Sequence, residues 1–304
     1  MTASSELAGR RVLVTGASGY LGAATIARLC AIGSDVVGVS RSRPRVAVER
    51  WRAADLAAGA DLESAFAAHR PEIVLHLAGE TGAARDPARI VSSFVANGLG
   101  TVRLLDAARR YGARRFVYCA SMEEPLMGTA SSVPASPYGA SKWVGSIYTR
   151  LYGAQFGLQS VIVRPYFVYG PGEQPREKLV PSLIRAYLDG IVPTLASPGR
   201  AMDWVFIDDV VEGFVRAAGA DRAAGTEIGL GTGALHTIAE FVDVVRRSFP
   251  GAPSPARQSD PLRANESSPI ADVAACRAIL GWTPSTSLAD GVSRTVDWYR
   301  AHSS

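Results

Sequence analysis

The first half of the chain alternates short apolar runs with longer segments whose apolar residues recur at helical spacing. The predicted strands are Arg11–Thr15, Asp35–Val39, Glu72–His76, Arg115–Cys119 and Ser160–Arg164. Each is apolar at consecutive positions, which is typical of a strand covered on both faces. The predicted helices are Tyr20–Ile32, Leu62–His69, Pro87–Tyr111 and Pro137–Phe156. This order predicts βαβ units, and hence an α/β fold with a doubly wound parallel sheet.

The second half of the chain is less regular and is expected to form a smaller, mixed α/β lobe. Its predicted elements are a turn-rich segment at 166–172, a helix at Lys178–Leu188, a strand at Trp204–Ile207, a long loop at 250–269 and helices at Ala271–Leu280 and Ser287–Ala301. Asp208 and Asp209 follow the strand at positions that suit a helix N-cap.

Composition excludes several classes of protein. The chain has 304 residues, of which 47% are hydrophobic and 20% charged, so it can bury a sizeable core. No apolar run approaches the ~20 residues of a membrane span, and no apolar signal region precedes the first strand, so we expect a cytoplasmic protein that binds no membrane. The three cysteines and four histidines are scattered, which favours neither a disulfide framework nor a metal site. The net charge of +4 is spread along the chain, so no nucleic-acid partner is expected.

A glycine-rich segment joins the first predicted strand to the first predicted helix. Glycines let a backbone approach a pyrophosphate, and a helix N-terminus offers free N–H groups and a partial positive charge. A tight turn without a ligand is the alternative, and the strand–turn–helix context disfavours it. The predicted cofactor-binding residues of this segment are Gly16, Ser18, Gly19, Tyr20, Leu21 and Gly22.

The second predicted strand is followed by arginines instead of an acidic residue. A carboxylate at this position would bind the hydroxyls of an adenosine ribose, whereas a guanidinium group matches a 2′-phosphate. Ser40, Arg41 and Arg43 therefore predict a preference for NADP(H) over NAD(H). The alternative is that these arginines only solvate a loop.

A tyrosine and a lysine lie four residues apart at the start of a predicted helix. Ser136 suits the N-cap and Pro137 the first helical position. Tyr138 and Lys142 then share one helix face. A nearby ammonium group favours the phenolate, so Lys142 is expected to lower the pKa of Tyr138 from about 10 and make it a usable acid/base. Without the glycine-rich segment, an incidental pair on a surface helix would be as good an interpretation.

Taken together, these features resemble the extended branch of the short-chain dehydrogenase/reductases, which comprises nucleotide-sugar epimerases, dehydratases and reductases. The markers, in the order of that family, are Thr15-Gly16-Ala-Ser-Gly19-Tyr-Leu-Gly22, Asp55-Leu56, His76-Leu-Ala78-Gly79, Asn97, Ser121, Tyr138 with Lys142, Arg164–Gly172, Asp203–Val210 and Leu280–Pro284. Any one of them is a modest signal, but the ordered set covers nearly the whole chain and is highly specific.

The resemblance implies a Rossmann-like fold and a role for each group of residues. Ser121 and Tyr138 would bind the substrate oxygen, with Tyr138 exchanging its proton as hydride moves to or from the nicotinamide. Lys142 would hold the nicotinamide ribose. Further implied cofactor contacts are Asp55, Leu56, Ala78, Gly79 and Tyr166, and implied substrate contacts are Glu123, Tyr169, Arg200 and Arg263. Asn97 would support the active site through its helix.

The same resemblance divides the chain by function and suggests its assembly. Residues 1–170 plus about 203–225 would form the dinucleotide-binding domain. Residues of about 171–202 plus 226–304 would form the substrate-binding lobe. A homodimer through the two long helices is expected from the resemblance alone.

Two departures from the family pattern bear on the reaction. Dehydratases of this family place Asp-Glu beside the catalytic hydroxyl residue, but Met122 stands where the Asp would be. Methionine cannot donate the proton that water elimination needs, so a dehydratase is disfavoured. Met202 stands where many relatives have an arginine that neutralises the sugar-nucleotide diphosphate. Arg200 or Arg263 would have to compensate.

The leading hypothesis is therefore an NADPH-dependent ketoreductase of a nucleotide-activated 4-keto-deoxysugar, with Tyr138 as general acid. A sugar-nucleotide epimerase or dehydratase, which keeps its cofactor bound, is one alternative. A ketoreductase of a non-sugar metabolite such as a polyketide is another, motivated by Met202. An NADP-binding regulator without turnover is the non-enzyme alternative, and the intact set of Ser121, Tyr138 and Lys142 argues against it.

Overall fold

A seven-stranded sheet forms the centre of the larger part of the molecule. The computed structural model describes residues 6–59, 61–82, 86–125, 133–257 and 268–302. In chain order the strands are β1 (Arg11–Thr15), β2 (Asp35–Ser40), β3 (Arg50–Ala53), β4 (Ile73–His76), β5 (Arg115–Cys119), β6 (Gln159–Pro165), β7 (Phe167–Tyr169), β8 (Thr194–Leu195), β9 (Ala201–Phe206), β10 (Glu227–Leu230), β11 (Leu235–Thr237) and β12 (Ala256–Arg257). The large sheet has the order β10-β6-β5-β4-β1-β2-β3 and contains all five predicted strands. The predicted doubly wound, Rossmann-like α/β fold is confirmed.

Helices alternate with the strands along the chain. In chain order they are α1 (Tyr20–Ala31), α2 (Leu62–His69), α3 (Ile90–Ser93), α4 (Gly100–Arg110), α5 (Pro137–Phe156), α6 (Leu179–Leu188), α7 (Ile207–Gly219), α8 (Ile238–Arg247), α9 (Val273–Leu280) and α10 (Leu288–His302). Val12, Leu13 and Val14 of β1 are all fully buried, on both faces of the strand. This explains why the strands are apolar at consecutive positions.

The segment predicted as one regular helix, Pro87–Tyr111, is helical but irregular. The segment begins with a 3₁₀ turn at Pro87–Arg89, continues as α3, widens into a π-helical stretch at Phe94–Leu99 and ends as α4. At the end of the wide stretch, the Gly100 N–H donates to the carbonyl of Val95, five residues earlier. Such π-helical turns are rare and often occur at functional sites.

Strand order places a topological switch point beside β1. The chain runs from β1 to β2 on one side and to β4 on the other, and both pairings are parallel. In open α/β sheets, ligands bind outside the carboxyl ends of the strands at such a point. Thr15 pairs with His76 there, so the residues that follow these two strands are expected to line the site.

The sequence did not predict the short strands β7, β8, β11 and β12, nor three further elements. β3 and β10 are short and partly exposed, and each lies at an edge of the large sheet, so neither has the long apolar run of a buried strand. The third, α8, is marked by a capping box in which the Thr237 side chain accepts from the Glu240 N–H and the Glu240 carboxylate accepts from the Thr237 N–H. That pattern is readable from the sequence.

The predicted N-cap role of Asp208 and Asp209 is wrong, because both lie inside the first turn of α7. Asp209 is buried, and its carboxylate accepts hydrogen bonds from the backbone of Ser285 and Thr286. Its role is to tie the segment before α10 to the start of α7.

The chain divides into two compact units. One comprises Met1–Pro165, Val211–Gly229 and Ala274–Trp282, and the other Tyr166–Val210, Leu230–Val273 and Thr283–Ser304. The second unit holds the three-stranded sheet β11-β9-β7 and the short pair β12-β8. Assignment of the units to dinucleotide and to substrate stays a prediction. Within the described ranges, none of the helices combines the length and apolarity needed to cross a bilayer.

Candidate active site

The turn between β1 and α1 is shaped by three glycines. Gly16 has a φ of +74°, and a Cβ there would lie 2.8 Å from the Ala78 nitrogen. A Cβ on Gly22 would overlap the Gly16 carbonyl oxygen. The Gly19 N–H closes the turn onto that same oxygen at 2.8 Å. Side chains at Gly16 or Gly22 would therefore disrupt the turn.

The N-terminus of α1 is available to an anion. Gly19 is its N-cap and supplies no side-chain hydrogen bond, and the first turn contains no acidic residue. Tyr20 and Leu21 open the helix, and Ser18 lies exposed in the turn before it. Because the first N–H groups of a helix carry a partial positive charge, this end fits the pyrophosphate of a dinucleotide.

The loop after β2 lies beside the glycine turn. The Ser42 hydroxyl donates to the Ser18 hydroxyl at 3.2 Å. The Arg41 and Arg43 side chains are exposed, and within the described residues neither guanidinium group has a hydrogen bond or ion pair. The Ser40 hydroxyl is instead used within the protein, since it donates to the Ser42 carbonyl and accepts from the Trp51 indole.

The other predicted cofactor residues of the first unit follow β3 and β4. The exposed Asp55 carboxylate accepts from the Ala57 N–H at 2.9 Å, while Leu56 is buried. The Ala78 N–H donates to the Thr15 hydroxyl at 3.2 Å, and Gly79 is exposed. The carboxyl ends of β1 to β4 thus carry all of these residues at one edge of the sheet.

The predicted catalytic residues come from the end of β5 and the start of α5. The helix begins as predicted, because the Ser136 hydroxyl accepts from the Gly139 N–H and Pro137 occupies the first turn. The Ser121 hydroxyl lies close enough to the Tyr138 phenol to lower its pKa. Lys142 is 3% exposed, and its ammonium nitrogen lies 4.3 Å from the centre of the Tyr118 ring. A Cβ on Gly79 would lie 3.8 Å from that nitrogen, so the lysine faces the residues that follow β4.

The expected effect of Lys142 on Tyr138 is not found in the protein alone. Burial raises the pKa of the Tyr138 phenol, and the neighbouring Ser121 hydroxyl only partly opposes this. Burial also lowers the pKa of Lys142, although the nearby Cys119 and Glu124 oppose that shift. The physical reason is that both groups are desolvated, which disfavours the phenolate and the ammonium alike. Tyr138 is therefore a protonated phenol near neutral pH, which suits a proton donor.

Asn97 lies in the π-helical stretch and joins two parts of the site. Its amide nitrogen donates to the Glu80 carbonyl at 3.0 Å and to the Ser141 hydroxyl at 2.9 Å, and its amide oxygen accepts from the Glu80 N–H at 2.7 Å. Asn97 thus fixes the segment after β4 to the residue before Lys142. The support expected of Asn97 has this geometric basis.

His76 is a buried, hydrogen-bonded core residue. The Thr101 hydroxyl donates to the Asn97 carbonyl, so it must accept from His76 Nε2–H at 2.9 Å. Nδ1 then accepts from the Thr15 hydroxyl at 2.8 Å. Burial, with a further contribution from Lys142, holds the pKa of His76 well below its usual value.

This neutral histidine should make stability depend on pH. The unfolded chain takes up a proton at His76 near pH 6.5, but the folded ring does not, so the stabilisation present above that pH is lost as the pH falls. We expect the free energy of unfolding to drop by up to about 1.4 kcal/mol per pH unit below pH 6.5. Urea denaturation at several pH values checks this. The His76→Asn variant should show a shallower slope, whereas His302→Asn, at an exposed position, should not.

Of the predicted substrate residues, only Glu123 belongs to the first unit. Its carboxylate accepts from the Ser136 hydroxyl at 2.8 Å. In the second unit, Arg200 is partly buried. Tyr166, a predicted cofactor contact that also lies in this unit, donates its hydroxyl to the Ile270 carbonyl at 2.9 Å. Tyr169 is 1% exposed, so its ring contributes to the core of that unit. Arg263 lies outside the described residues.

One buried residue beside Ser121 escaped sequence reasoning. Glu124 is 4% exposed, and its carboxylate accepts from the Ser121 N–H at 2.7 Å. The sequence shows two adjacent glutamates and offers no sign of which one is buried. The backbone conformation of the turn after β5 decides which glutamate points inward, and only the structure shows that conformation.

A family model decides how this arrangement is classified. The model of the NAD dependent epimerase/dehydratase family matches residues 12–231. The chain belongs to that family. It is an enzyme of the extended short-chain dehydrogenase/reductase type, and the resemblance in the sequence is confirmed.

Individual relatives agree with this membership. The chain is 32% identical to a UDP-glucose 4-epimerase from Mycolicibacterium smegmatis, over 95% of this chain and 98% of the relative. It is 28% identical to a dTDP-glucose 4,6-dehydratase from Neisseria meningitidis, over 95% and 93% of the two chains. Among solved structures, it resembles the Thermus thermophilus UDP-glucose 4-epimerase in complex with NAD, with a TM-score of 0.84, 28% identity and coverage of 95% and 99%.

Proposed function

We propose that this family member transfers hydride between a nicotinamide cofactor and C4 of a nucleotide-activated sugar, and that its net reaction is the reduction of a 4-keto-deoxysugar by NADPH. The observation that carries the chemistry is that the Ser121 hydroxyl, in the turn after β5, adjoins the phenol of Tyr138, which lies on α5 together with Lys142. The glycine turn and the start of α1, which has no side-chain cap, fit the pyrophosphate of a dinucleotide. The turn needs its glycines, because side chains at Gly16 or Gly22 would meet backbone atoms.

The residues would divide the reaction as follows. A bound nicotinamide supplies the hydride. Tyr138 and Ser121 hydrogen-bond the carbonyl oxygen of the substrate, and Tyr138 gives its phenolic proton to that oxygen as negative charge develops on it. Lys142 holds the ribose beside the nicotinamide and places a positive charge near the phenol. The buried, protonated state of Tyr138 suits this direction, since reduction needs an acid.

The NADPH preference is supported by the loop after β2. Two exposed guanidinium groups follow the strand, and no acidic residue stands at the strand end to repel a 2′-phosphate. A charge-assisted hydrogen bond contributes about 1.5–3 kcal/mol. The double variant Arg41→Ala/Arg43→Ala should therefore raise the KM for NADPH at least about tenfold and leave the KM for NADH unchanged.

Arg45 offers the matched control for that measurement. It lies in the same loop and is exposed, so Arg45→Ala should leave the NADPH to NADH ratio as in the wild type. A wild-type preference for NADH, or a double variant that weakens both cofactors equally, would contradict the assignment of the two arginines.

A nucleotide-sugar 4-epimerase is the second candidate, because the M. smegmatis relative that is 32% identical over nearly both whole chains is a UDP-glucose 4-epimerase. An epimerase keeps its cofactor bound and consumes none. Two assays on the purified protein separate the candidates. Loss of NADPH absorbance with a 4-keto-6-deoxy nucleotide sugar supports the reductase, and interconversion of UDP-glucose and UDP-galactose without added cofactor supports the epimerase.

We also propose that two copies of the chain associate through α3 and α5. Large apolar side chains are exposed on both elements or directly beside them: Ile90, Val91, Phe94, Ile147, Tyr148, Leu151 and Phe156. Contiguous apolar patches on a soluble protein mark interfaces. Leu151→Glu should convert the dimer to a monomer in light scattering coupled to size exclusion, while Ala27→Glu on the exposed face of α1 should leave it dimeric. A wild-type monomer would overturn this proposal.

A further inference from the structure

Two buried, oppositely charged side chains hold the backbone of Ser121. The Glu124 carboxylate accepts from the Ser121 N–H at 2.7 Å, and the Arg164 guanidinium donates to the Ser121 carbonyl. The side chains of Glu124 and Arg164 are 0% and 4% exposed, and their charged ends lie 3.6 Å apart. Both polar groups of one peptide residue are thus held by one ion pair.

The ion pair is itself held on each side. The second oxygen of Glu124 accepts from the Ser146 hydroxyl at 2.6 Å. Arg164 also pairs with Glu227, which in turn pairs with Arg150. One oxygen of Glu124 accepts from a backbone N–H, which can only donate, and the other lies 3.6 Å from the Arg164 guanidinium, and both contacts favour the ionised carboxylate. Burial raises the pKa of Glu124, and Arg164 contributes most to opposing that shift. The network therefore joins the turn after β5 to α5, β6 and β10.

Burying these two charges costs free energy of desolvation, and packing alone does not explain why the chain buries them. A buried ion pair is often no better for stability than apolar residues of the same volume. Here, however, the pair ends on Ser121, one of the two residues whose hydroxyls meet the substrate oxygen in the proposed function. The Ser121 hydroxyl is further fixed by the Glu123 N–H at 3.2 Å.

We propose that Glu124 and Arg164 are positioning residues of the reaction, which hold the Ser121 backbone at both its N–H and its carbonyl so that the Ser121 hydroxyl stays aligned with the Tyr138 phenol. The proposal rests on the proposed function for its catalytic part. The two contacts of Glu124 and Arg164 with the Ser121 backbone, here called the clamp, are seen in the structure whatever the reaction is. Neither residue touches the substrate, so both act through Ser121.

Glu124 also contributes negative charge to the site. The titratable groups around it are Arg164 on β6, Tyr118 and Cys119 on β5, Glu123 in the same turn, and Tyr138 and Lys142 on α5, with Glu227 of β10 behind Arg164. The Glu124 charge raises the pKa of both Tyr138 and Lys142. Removing it should lower both.

Two variants of Glu124 separate charge from geometry. Glu124→Gln keeps the length of the side chain and removes the charge, so the alkaline limb of the pH profile of kcat, where Tyr138 and Lys142 lose their protons, should move to lower pH. Glu124→Asp keeps the charge but is one methylene shorter and cannot reach both the Ser121 N–H and Ser146. It should lower kcat about tenfold, with KM and the alkaline limb nearly unchanged. In Glu124→Asp, amide hydrogen exchange in residues 119–125 should also be faster than in the wild type.

Asp209→Asn is the control, because it neutralises another buried, hydrogen-bonded carboxylate and should move neither the pH limbs nor exchange at 119–125. Identical effects of Glu124→Gln and Glu124→Asp on kcat, with no shift in pH, would reduce Glu124 to a structural residue. Unchanged exchange in Glu124→Asp would overturn the clamp whatever the activity. If the wild type turns over no nucleotide sugar, the proposed function fails, and the exchange result still decides whether the clamp exists.

Discussion

Tyr138→Phe should lower kcat at least about 100-fold, because it removes the proton that the developing alkoxide must receive and leaves every apolar contact of the ring in place. The KM for the cofactor should change little, since the phenol is assigned to the substrate oxygen. The expected rate loss comes from general acid catalysis together with one lost hydrogen bond in a site with few other donors. Steady-state kinetics with NADPH and a 4-keto-6-deoxy nucleotide sugar measures it.

Tyr148→Phe is the matched control on the same helix. Tyr148 is 39% exposed, so removal of its hydroxyl should leave kcat within about twofold of the wild type. Equal activity of Tyr138→Phe and the wild type would remove Tyr138 from the mechanism. In that case the proton would have to come from another group, and the assignment of Ser121 would need revision with it.

Gly22→Val should abolish cofactor binding, with a loss of affinity of at least about 100-fold, or about 2.7 kcal/mol. The first atom of the new side chain would overlap the Gly16 carbonyl oxygen. Backbone must therefore move, and the moved atoms are those that close the turn at the start of α1. Fluorescence titration with NADPH, or the rise in melting temperature on adding it, measures the loss.

Ala27→Val tests whether that loss comes from the turn rather than from a β-branched residue in the helix. Ala27 is exposed on α1, so the same side chain there should cost a few tenths of a kcal/mol in helix propensity and nothing in cofactor affinity. Tight NADPH binding by Gly22→Val would show that the dinucleotide does not sit on this turn.

The central sheet was predictable because its strands are buried on both faces. Val12, Leu13 and Val14 sit in an unbroken apolar run, and burial on two faces leaves no position for a polar residue. Edge strands lack that constraint. In β3, Arg50, Arg52 and Ala53 are exposed and Trp51 is half-buried. The sequence of this strand therefore shows no pattern that distinguishes it from a loop.

The candidate site was predictable where local spacing determines geometry. Four residues along a helix place Tyr138 and Lys142 on one face, and glycines are required wherever a Cβ would meet backbone. Effects of desolvation were not predictable. Spacing suggested that Lys142 lowers the pKa of Tyr138, but burial of both groups dominates. The same limit hid Glu124, since no local pattern tells which of two adjacent glutamates turns inward to meet Ser121.

The most direct measurement follows the hydride itself. The protein would be given cofactor carrying deuterium at C4 of the reduced nicotinamide together with a 4-keto nucleotide sugar, and the product examined by mass spectrometry and NMR. We expect deuterium at C4 of the sugar, for the reductase and the epimerase alike, with transfer at least about 100-fold slower in Tyr138→Phe. Product without deuterium at that carbon, or a label that never leaves the cofactor with any nucleotide sugar tried, would contradict it.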